Sequence, residues 1–236
     1  MKIGKRLAEF LYPSNAVCAG CGDLSGADRD GLCDACDRMR EQIRVRTMEN
    51  RCPLCMMPLE NRACRICELM AGWIGRAAYA FPYEGTARAI VRSFKYSGAG
   101  NLAEPMAEDM LASPAAKDLI ARCDCIVCAP ADRFRRSRRG YNQAQLLAKA
   151  ISERTGIPMQ DALKRRPFVR RQAALNREQR LSNLTGVIRC DADLSGKHIL
   201  LIDDVRTTGA TAVACAKALK AAGAEMVDLM TYAGVE

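Results

Sequence analysis

Residues 199–211 read Ile-Leu-Leu-Ile-Asp-Asp-Val-Arg-Thr-Thr-Gly-Ala-Thr, and these side chains are ordered for chemistry on a sugar phosphate. The apolar run Ile199–Ile202 predicts a buried strand, and the segment from about Gly209 predicts a helix. A turn between strand and helix presents unpaired backbone N–H groups and the positive end of the helix dipole, which together attract phosphate. Thr207, Thr208 and Thr211 add hydroxyl donors, and Gly209 lets the backbone approach an anion closely. Asp203 and Asp204 would repel that phosphate unless they face hydroxyl groups or a divalent metal. A phosphate with sugar hydroxyls beside it satisfies both halves of the turn. The alternative is that the two acids end a buried strand and cap the next helix. Two acids, three threonines and a glycine in this order favour the sugar phosphate.

A second group of reactive side chains lies near the start of the chain. Eight of the 13 cysteines form four Cys-x-x-Cys pairs: Cys18/Cys21, Cys33/Cys36, Cys52/Cys55 and Cys64/Cys67. Two thiolates three residues apart across a tight turn fit one tetrahedral Zn²⁺, and two such knuckles complete a four-cysteine site. Short separations favour a sequential arrangement, with Cys18, Cys21, Cys33 and Cys36 on one ion and Cys52, Cys55, Cys64 and Cys67 on a second. An interleaved cross-brace is the alternative, and redox-active thiols are a third reading. With every position filled by protein the two ions are structural, and metal binding supplies folding free energy to a segment poor in large apolar residues. Cys123, Cys125, Cys128, Cys190 and Cys215 lack this spacing and read as small core hydrophobes.

The formal charge of +9 is polarised. Residues 122–189 carry 16 basic against 5 acidic side chains, a net +11, while the rest of the chain is close to neutral or acidic. This concentration predicts an anionic ligand for that third of the molecule. Arg133, Arg135, Arg136, Arg138 and Arg139 form one cluster; Lys164, Arg165, Arg166, Arg170 and Arg171 form another. Guanidinium forks match phosphate oxygens bidentately. Phe134, Tyr141 and Phe168 lie within or beside the clusters, where they can stack on bases of a single strand. The alternative is a solvated basic loop, or arginines that serve a pyrophosphate alone.

These groups need elements to hold them. At 236 residues the chain suits one domain plus a small appendage, and we divide it at 1–70 and 71–236. No apolar run approaches the ~18 residues of a membrane span. Glu9 and Pro13 interrupt the stretch after Lys2, Lys5 and Arg6, which argues against a signal peptide and for a cytoplasmic protein. Helices are predicted at 86–96 (Thr86 as cap), 102–112, 142–155 and 209–222, with strands at 125–129, 187–190, 198–203 and 226–232 and a polar basic loop over 164–185. Alternating strands and helices imply an α/β fold: a mainly parallel sheet with helices on both faces and its ligand at the carboxyl ends of the strands. His198, the one histidine, starts a strand and reads as structural.

The motifs together resemble the ComF family, phosphoribosyltransferase-like proteins named for DNA uptake in bacterial competence and including the GntX proteins. The cysteine pairs of 18–67 match a double zinc ribbon. Tyr83-Glu84-Gly85 with Phe94-Lys95-Tyr96 matches a hood segment, and Arg139-Gly140-Tyr141-Asn142-Gln143 an Arg-Gly-aromatic-Asn-Gln motif. Gln172, Leu175, Arg180 and Asn183 match a mobile-loop motif, and Asp203 to Thr211 the 5-phosphoribosyl 1-pyrophosphate (PRPP) loop of type I phosphoribosyltransferases. The resemblance implies that fold, preceded by the ribbon. It implies PRPP bound by Asp203, Asp204, Thr207, Thr208, Gly209, Ala210, Thr211 and Arg139, with Mg²⁺ at Asp203 and Asp204. The phosphate would lie in the turn, the ribose hydroxyls on the acids, and the pyrophosphate toward Arg133–Arg139. Two departures stand out. Val127-Cys128-Ala129-Pro130 replaces Val-Pro-Val-Pro, and Arg206 puts an extra cation beside the cradle, where it would strengthen anion binding. Two functional classes follow: a phosphoribosyltransferase whose acceptor the sequence does not specify, or a non-catalytic single-stranded-DNA-binding protein that uses the PRPP fold as a regulatory module. Arg133, Arg135, Arg136, Arg138, Arg170 and Arg171 would carry the nucleic acid, with DNA-uptake proteins as partners.

Overall fold

A computed structural model of the protein describes residues 17–23, 31–46, 51–58, 65–96, 99–131, 140–165 and 188–236. Two helices, α1 (Asp34–Arg46) and α2 (Arg65–Met70), belong to the cysteine-rich segment. There follow β1 (Ala77–Pro82), α3 (Gly85–Tyr96), α4 (Ala103–Ala112), α5 (Ala116–Arg122), β2 (Cys125–Cys128), α6 (Gln143–Thr155), β3 (Met159–Gln160), β4 (Leu163–Arg165), β5 (Ile188–Cys190), β6 (His198–Arg206), α7 (Ala210–Ala221) and β7 (Met226–Gly234).

The sequence Ile199–Ile202 is apolar at every position because β6 is covered on both faces, and all four side chains are fully buried. Around it the sheet runs in the order β1-β7-β6-β2-β3, and every pair in it is parallel. Helices α4 and α6 pack on each other and on the sheet, while α7 packs on β5, β6 and β7. The mainly parallel sheet with helices predicted from the β/α alternation is therefore the observed fold. Helix α6 stops at Gly156, whose φ of 74° lets its N–H close the last turn on the Ser152 carbonyl at 2.9 Å.

Several boundaries differ from expectation. β6 continues through Arg206, three residues past its predicted end, because Asp203 to Arg206 still pair with β7. Helix α3 begins at Gly85, so Thr86 is a buried first-turn residue and not a cap outside the helix. The basic segment expected as loop contributes β4, which pairs antiparallel with β5 beside the main sheet. No strand was expected over 77–82 and no helix over 116–122; both are present. Cys18, Leu32, Cys36, Cys52 and Cys55 of the cysteine segment join the same buried cluster as the sheet. Among the described residues no helix is long and apolar enough to cross a membrane.

Candidate functional site

Parallel pairing of β2 with β6 brings Cys128 level with Ile202, so the segments after both strands leave the same edge of the sheet. There Ala129 donates its N–H to the Ile202 carbonyl at 2.9 Å. A cavity of about 270 Å³ opens at this edge, lined by Tyr83, Lys95, Ala129, Asn142, Arg165, Asp203, Asp204, Thr207 and Thr211 among others. It holds both acids and two of the three threonines that the sequence singled out.

Side chains alternate along the end of β6: Asp204 and Arg206 are buried, while Asp203 and Val205 are half-buried and Thr207 is exposed. The Asp203 carboxylate accepts the Asp204 N–H at 2.9 Å. Asp204 pairs with the Lys95 ammonium at 3.1 Å, where α3 ends. Burial, reinforced by the neighbouring Asp204, pushes the Asp203 carboxyl up to about 7, against the opposing pull of the Asp204 N–H and Lys95. Thr207, Thr208 and Thr211 are exposed. Gly209 occupies the left-handed region at φ 80° immediately before α7, whose first residue is Ala210. Among the described residues the N–H groups of Thr207 and Thr208 have no hydrogen-bond partner, so the turn offers donors to a ligand.

Arg206 departs from expectation. It is 3% exposed, and its guanidinium turns away from the turn to donate to the Cys55 carbonyl at 2.7 Å, stacking over the Tyr79 ring at 4.9 Å. With its guanidinium committed to the Cys55 carbonyl and the Tyr79 ring, it adds no cation to the cradle. Tyr141 is likewise committed. Its hydroxyl donates to the Phe94 carbonyl at 2.7 Å and its ring lies against Phe94, while Asn142 Nδ2 donates to the Ala129 carbonyl at 3.0 Å. This part of the Arg-Gly-aromatic-Asn-Gln motif thus brackets α3 to the end of β2. Arg133, Arg135, Arg136, Arg138, Arg139, Arg170, Arg171 and Cys64 lie outside the described residues, as do Gln172, Leu175, Arg180 and Asn183.

Lys95 and Arg165 are site residues that the sequence reading did not single out for this cavity. The available signal for Lys95 was charge balance, because two adjacent acids at a sheet edge call for a cation. Arg165 was counted only in a basic cluster, since its strand was not expected.

The cysteines fall into two sequential groups. The Sγ atoms of Cys18, Cys21, Cys33 and Cys36 lie within 4.8 Å of one another, as do those of Cys52, Cys55 and Cys67. The Cys21–Cys33 and Cys52–Cys67 separations are 3.9 and 3.6 Å. Four sulfurs around a zinc ion at the usual bond length stand about 3.8 Å apart, whereas a disulfide brings two to about 2 Å. The donor set therefore fits zinc, and the grouping is sequential rather than cross-braced. Burial raises the Cys18 thiol, but N–H groups of Cys21, Cys33 and Gly20 outweigh it and bring Cys18 down to about 6. A thiolate stabilised by backbone donors is a metal ligand in waiting. Cys125, Cys128 and Cys215 are buried and Cys123 and Cys190 half-buried, and His198 Nε2 stands 2.9 Å from the buried Asp228 carboxylate.

No protein-family model matches the chain. Among solved structures it is similar to a B. subtilis glutamine PRPP amidotransferase (21% identity, TM-score 0.39, 55% of this chain and 26% of that one). A purine phosphoribosyltransferase from Pyrococcus horikoshii gives 19% identity and a TM-score of 0.35 over 53% of this chain and 71% of that one. Among curated proteins it is 27% identical over 209 residues to the DNA utilization protein YhgH of Escherichia coli K12, covering 84% of this chain and 88% of that one. Competence protein F of Haemophilus influenzae is 33% identical over 110 residues, or 45% of this chain and 48% of that protein. Competence protein ComFC of Streptococcus pneumoniae is 30% identical over 211 residues. Since that last match takes in 87% of each chain, the protein belongs to the ComF family.

Proposed function

We propose that the turn from Asp203 to Thr211 binds PRPP together with Mg²⁺, in a phosphoribosyltransferase-like protein that acts in DNA uptake. The observation that carries this reading is the cavity of about 270 Å³ at the carboxyl edge of β2 and β6, which joins Asp203 and Asp204 to Thr207 and Thr211. Thr207, Thr208, Gly209, Ala210 and Thr211 would take the 5-phosphate through N–H and hydroxyl donors. Asp203 and Asp204 would accept from the ribose hydroxyls. Two carboxylates side by side, with only Lys95 among the described residues ion-paired to them, also fit a divalent cation. Mg²⁺ prefers a few carboxylates with phosphate oxygens and water, and when bound it would neutralise charge on pyrophosphate. Arg139 and Arg165 would hold the pyrophosphate, and closing the site would exclude water. The same reading assigns residues 1–70 to a ribbon holding two structural zinc ions and 71–236 to the phosphoribosyltransferase-like domain. It puts the protein in the cytoplasm, where paired thiols stay reduced.

Calorimetry with PRPP and Mg²⁺ tests the assignment. Asp203→Ala with Asp204→Ala should abolish binding while circular dichroism stays unchanged; wild-type affinity in that variant would overturn it. Release of pyrophosphate from PRPP in the presence of candidate acceptors separates an enzyme from a binding module.

A second reading rests on the net +11 of residues 122–189, far more cation than one pyrophosphate needs, and on relatives named for DNA utilization and competence. Here Arg133, Arg135, Arg136, Arg138, Arg170 and Arg171 bind single-stranded DNA. Affinity for an oligonucleotide should then fall with salt at a slope of about −0.7 per neutralised phosphate. Arg135→Ala, Arg136→Ala and Arg138→Ala together should flatten that slope. Absence of binding by the wild type at low salt would leave the basic residues to PRPP alone.

A further inference from the structure

Arg206, which ends β6, is held by the second cysteine knuckle, and α2 of the same knuckle packs against α7. Arg206 reaches the knuckle from one side of the turn, donating to the Cys55 carbonyl at 2.7 Å and to Met57 Sδ at 3.1 Å. Its guanidinium is sandwiched over Tyr79, and its Nε is buried without a partner among the described residues. Such a group is costly to bury unless its surroundings fix it. The knuckle is fixed in turn. Met56, the only non-glycine residue with positive φ among those described (63°), has its carbonyl within 2.8 Å of the Tyr79 hydroxyl and 3.3 Å of the Arg51 guanidinium. From the other side of the turn, a Cβ on Gly209 would stand 3.6 Å from Met70 Sδ and 3.8 Å from Leu69. Met70 and Leu69 belong to α2, the short helix that carries Cys67. The two cysteine-bearing elements whose sulfurs converge thus flank the turn, one bonded to Arg206 and the other packed against α7 beside Gly209, with Thr207 and Thr208 between them.

We propose that Arg206 is a positioning residue that couples the Cys52/Cys55/Cys67 knuckle to the phosphate turn, so that metal in this knuckle sets how rigidly the turn is held for its ligand. A bound ion fixes the distance from Cys67 to Cys52 and Cys55, and hence the separation of α2 from the Cys55 carbonyl. Without it the two flanking elements are free to move relative to one another. Among the described residues the first cluster has no such connection to the turn; its Ala19 carbonyl accepts from Ser93 on α3 at 3.0 Å. Coupling of this kind is reciprocal, so a ligand in the turn must also retain metal in the second knuckle. The coupling rests on the PRPP reading only for the identity of that ligand.

Hydrogen exchange at Val213 and Val235, whose N–H groups donate to the Gly209 and Arg206 carbonyls at 2.9 and 2.8 Å, reads the coupling directly in the full zinc-loaded chain without ligand. Arg206→Met keeps an apolar body of similar length, and Arg206→Lys restores one donor. We expect about tenfold faster exchange at these two amides in Arg206→Met and a partial return in Arg206→Lys, with zinc content unchanged. Cys52→Ser should speed the same amides, Cys21→Ser should not, and Cys52→Ser added to Arg206→Met should have little further effect. A second readout is zinc loss to a chromogenic chelator: PRPP with Mg²⁺ should slow release of one of two ions in the wild type and not in Arg206→Met. Unchanged exchange in Arg206→Met, or additive effects of Cys52→Ser and Arg206→Met, would overturn the proposal. If the amides respond as expected but PRPP binds nowhere in the wild type, the coupling stands and the ligand assignment falls.

Discussion

Asp203 carries a carboxyl whose proton affinity is raised in the folded state, and the sign of that shift has a measurable consequence. A carboxyl lifted from its ordinary 3.8 to about 7 by burial and by Asp204 adds most to stability below the unfolded value. That contribution is lost as pH climbs toward 7, above which the ionised group opposes folding. Asp203→Asn should therefore stabilise the protein at pH 8 by about 2 kcal/mol once solvent contact is discounted, or roughly 4–8 °C. The gain should shrink toward zero at pH 4. Scanning calorimetry at both pH values measures it, and equal shifts would disprove the account. The two acids and the threonines were legible from residue type and order alone. Arg206 was misread because its partners, the Cys55 carbonyl and the Tyr79 ring, lie far from it in sequence. Lys95 was quoted in a motif without a role, since nothing local to α3 says that its last turn meets β6.

At the scale of elements, the turn works because Gly209 supplies a backbone conformation that other residues enter at a cost. The space at Gly209 accepts a methyl at ordinary contact distance, so Gly209→Ala isolates the backbone term. It should cost about 1–2 kcal/mol, seen as a lower midpoint in urea with unchanged slope, and weaken binding of PRPP. A neutral effect would mean the turn relaxes without loss. Long periodic elements were readable: α6, α7 and β6 show their apolar faces or runs plainly. β1 was not, because Ala77-Ala78-Tyr79-Ala80 offers small residues without alternation beside a cysteine-rich segment. β4 was hidden by its lysine and arginine, and only pairing with β5 makes it a strand.

For the whole molecule, the shared core makes the cysteine knuckles part of the fold and not an accessory to it. Arg40 on α1 pairs with the buried Asp109 on α4 at 2.9 Å, and Asp109 also meets Tyr232 of β7. Protein purified without added metal should contain about two zinc ions. Their removal should lower one cooperative transition for the entire chain, because structural zinc contributes folding free energy directly. Two independent transitions, or none moved, would contradict a shared core. The order β1-β7-β6 has a further consequence, for biosynthesis. Among the described residues β1, at residues 77–82, pairs only with a strand that starts at residue 226, so on the ribosome it waits for nearly all the intervening chain. At about 5–20 residues per second that wait lasts roughly 10–30 s, during which the unpaired N–H and C=O groups of β1 are open to chaperones and to neighbouring nascent chains.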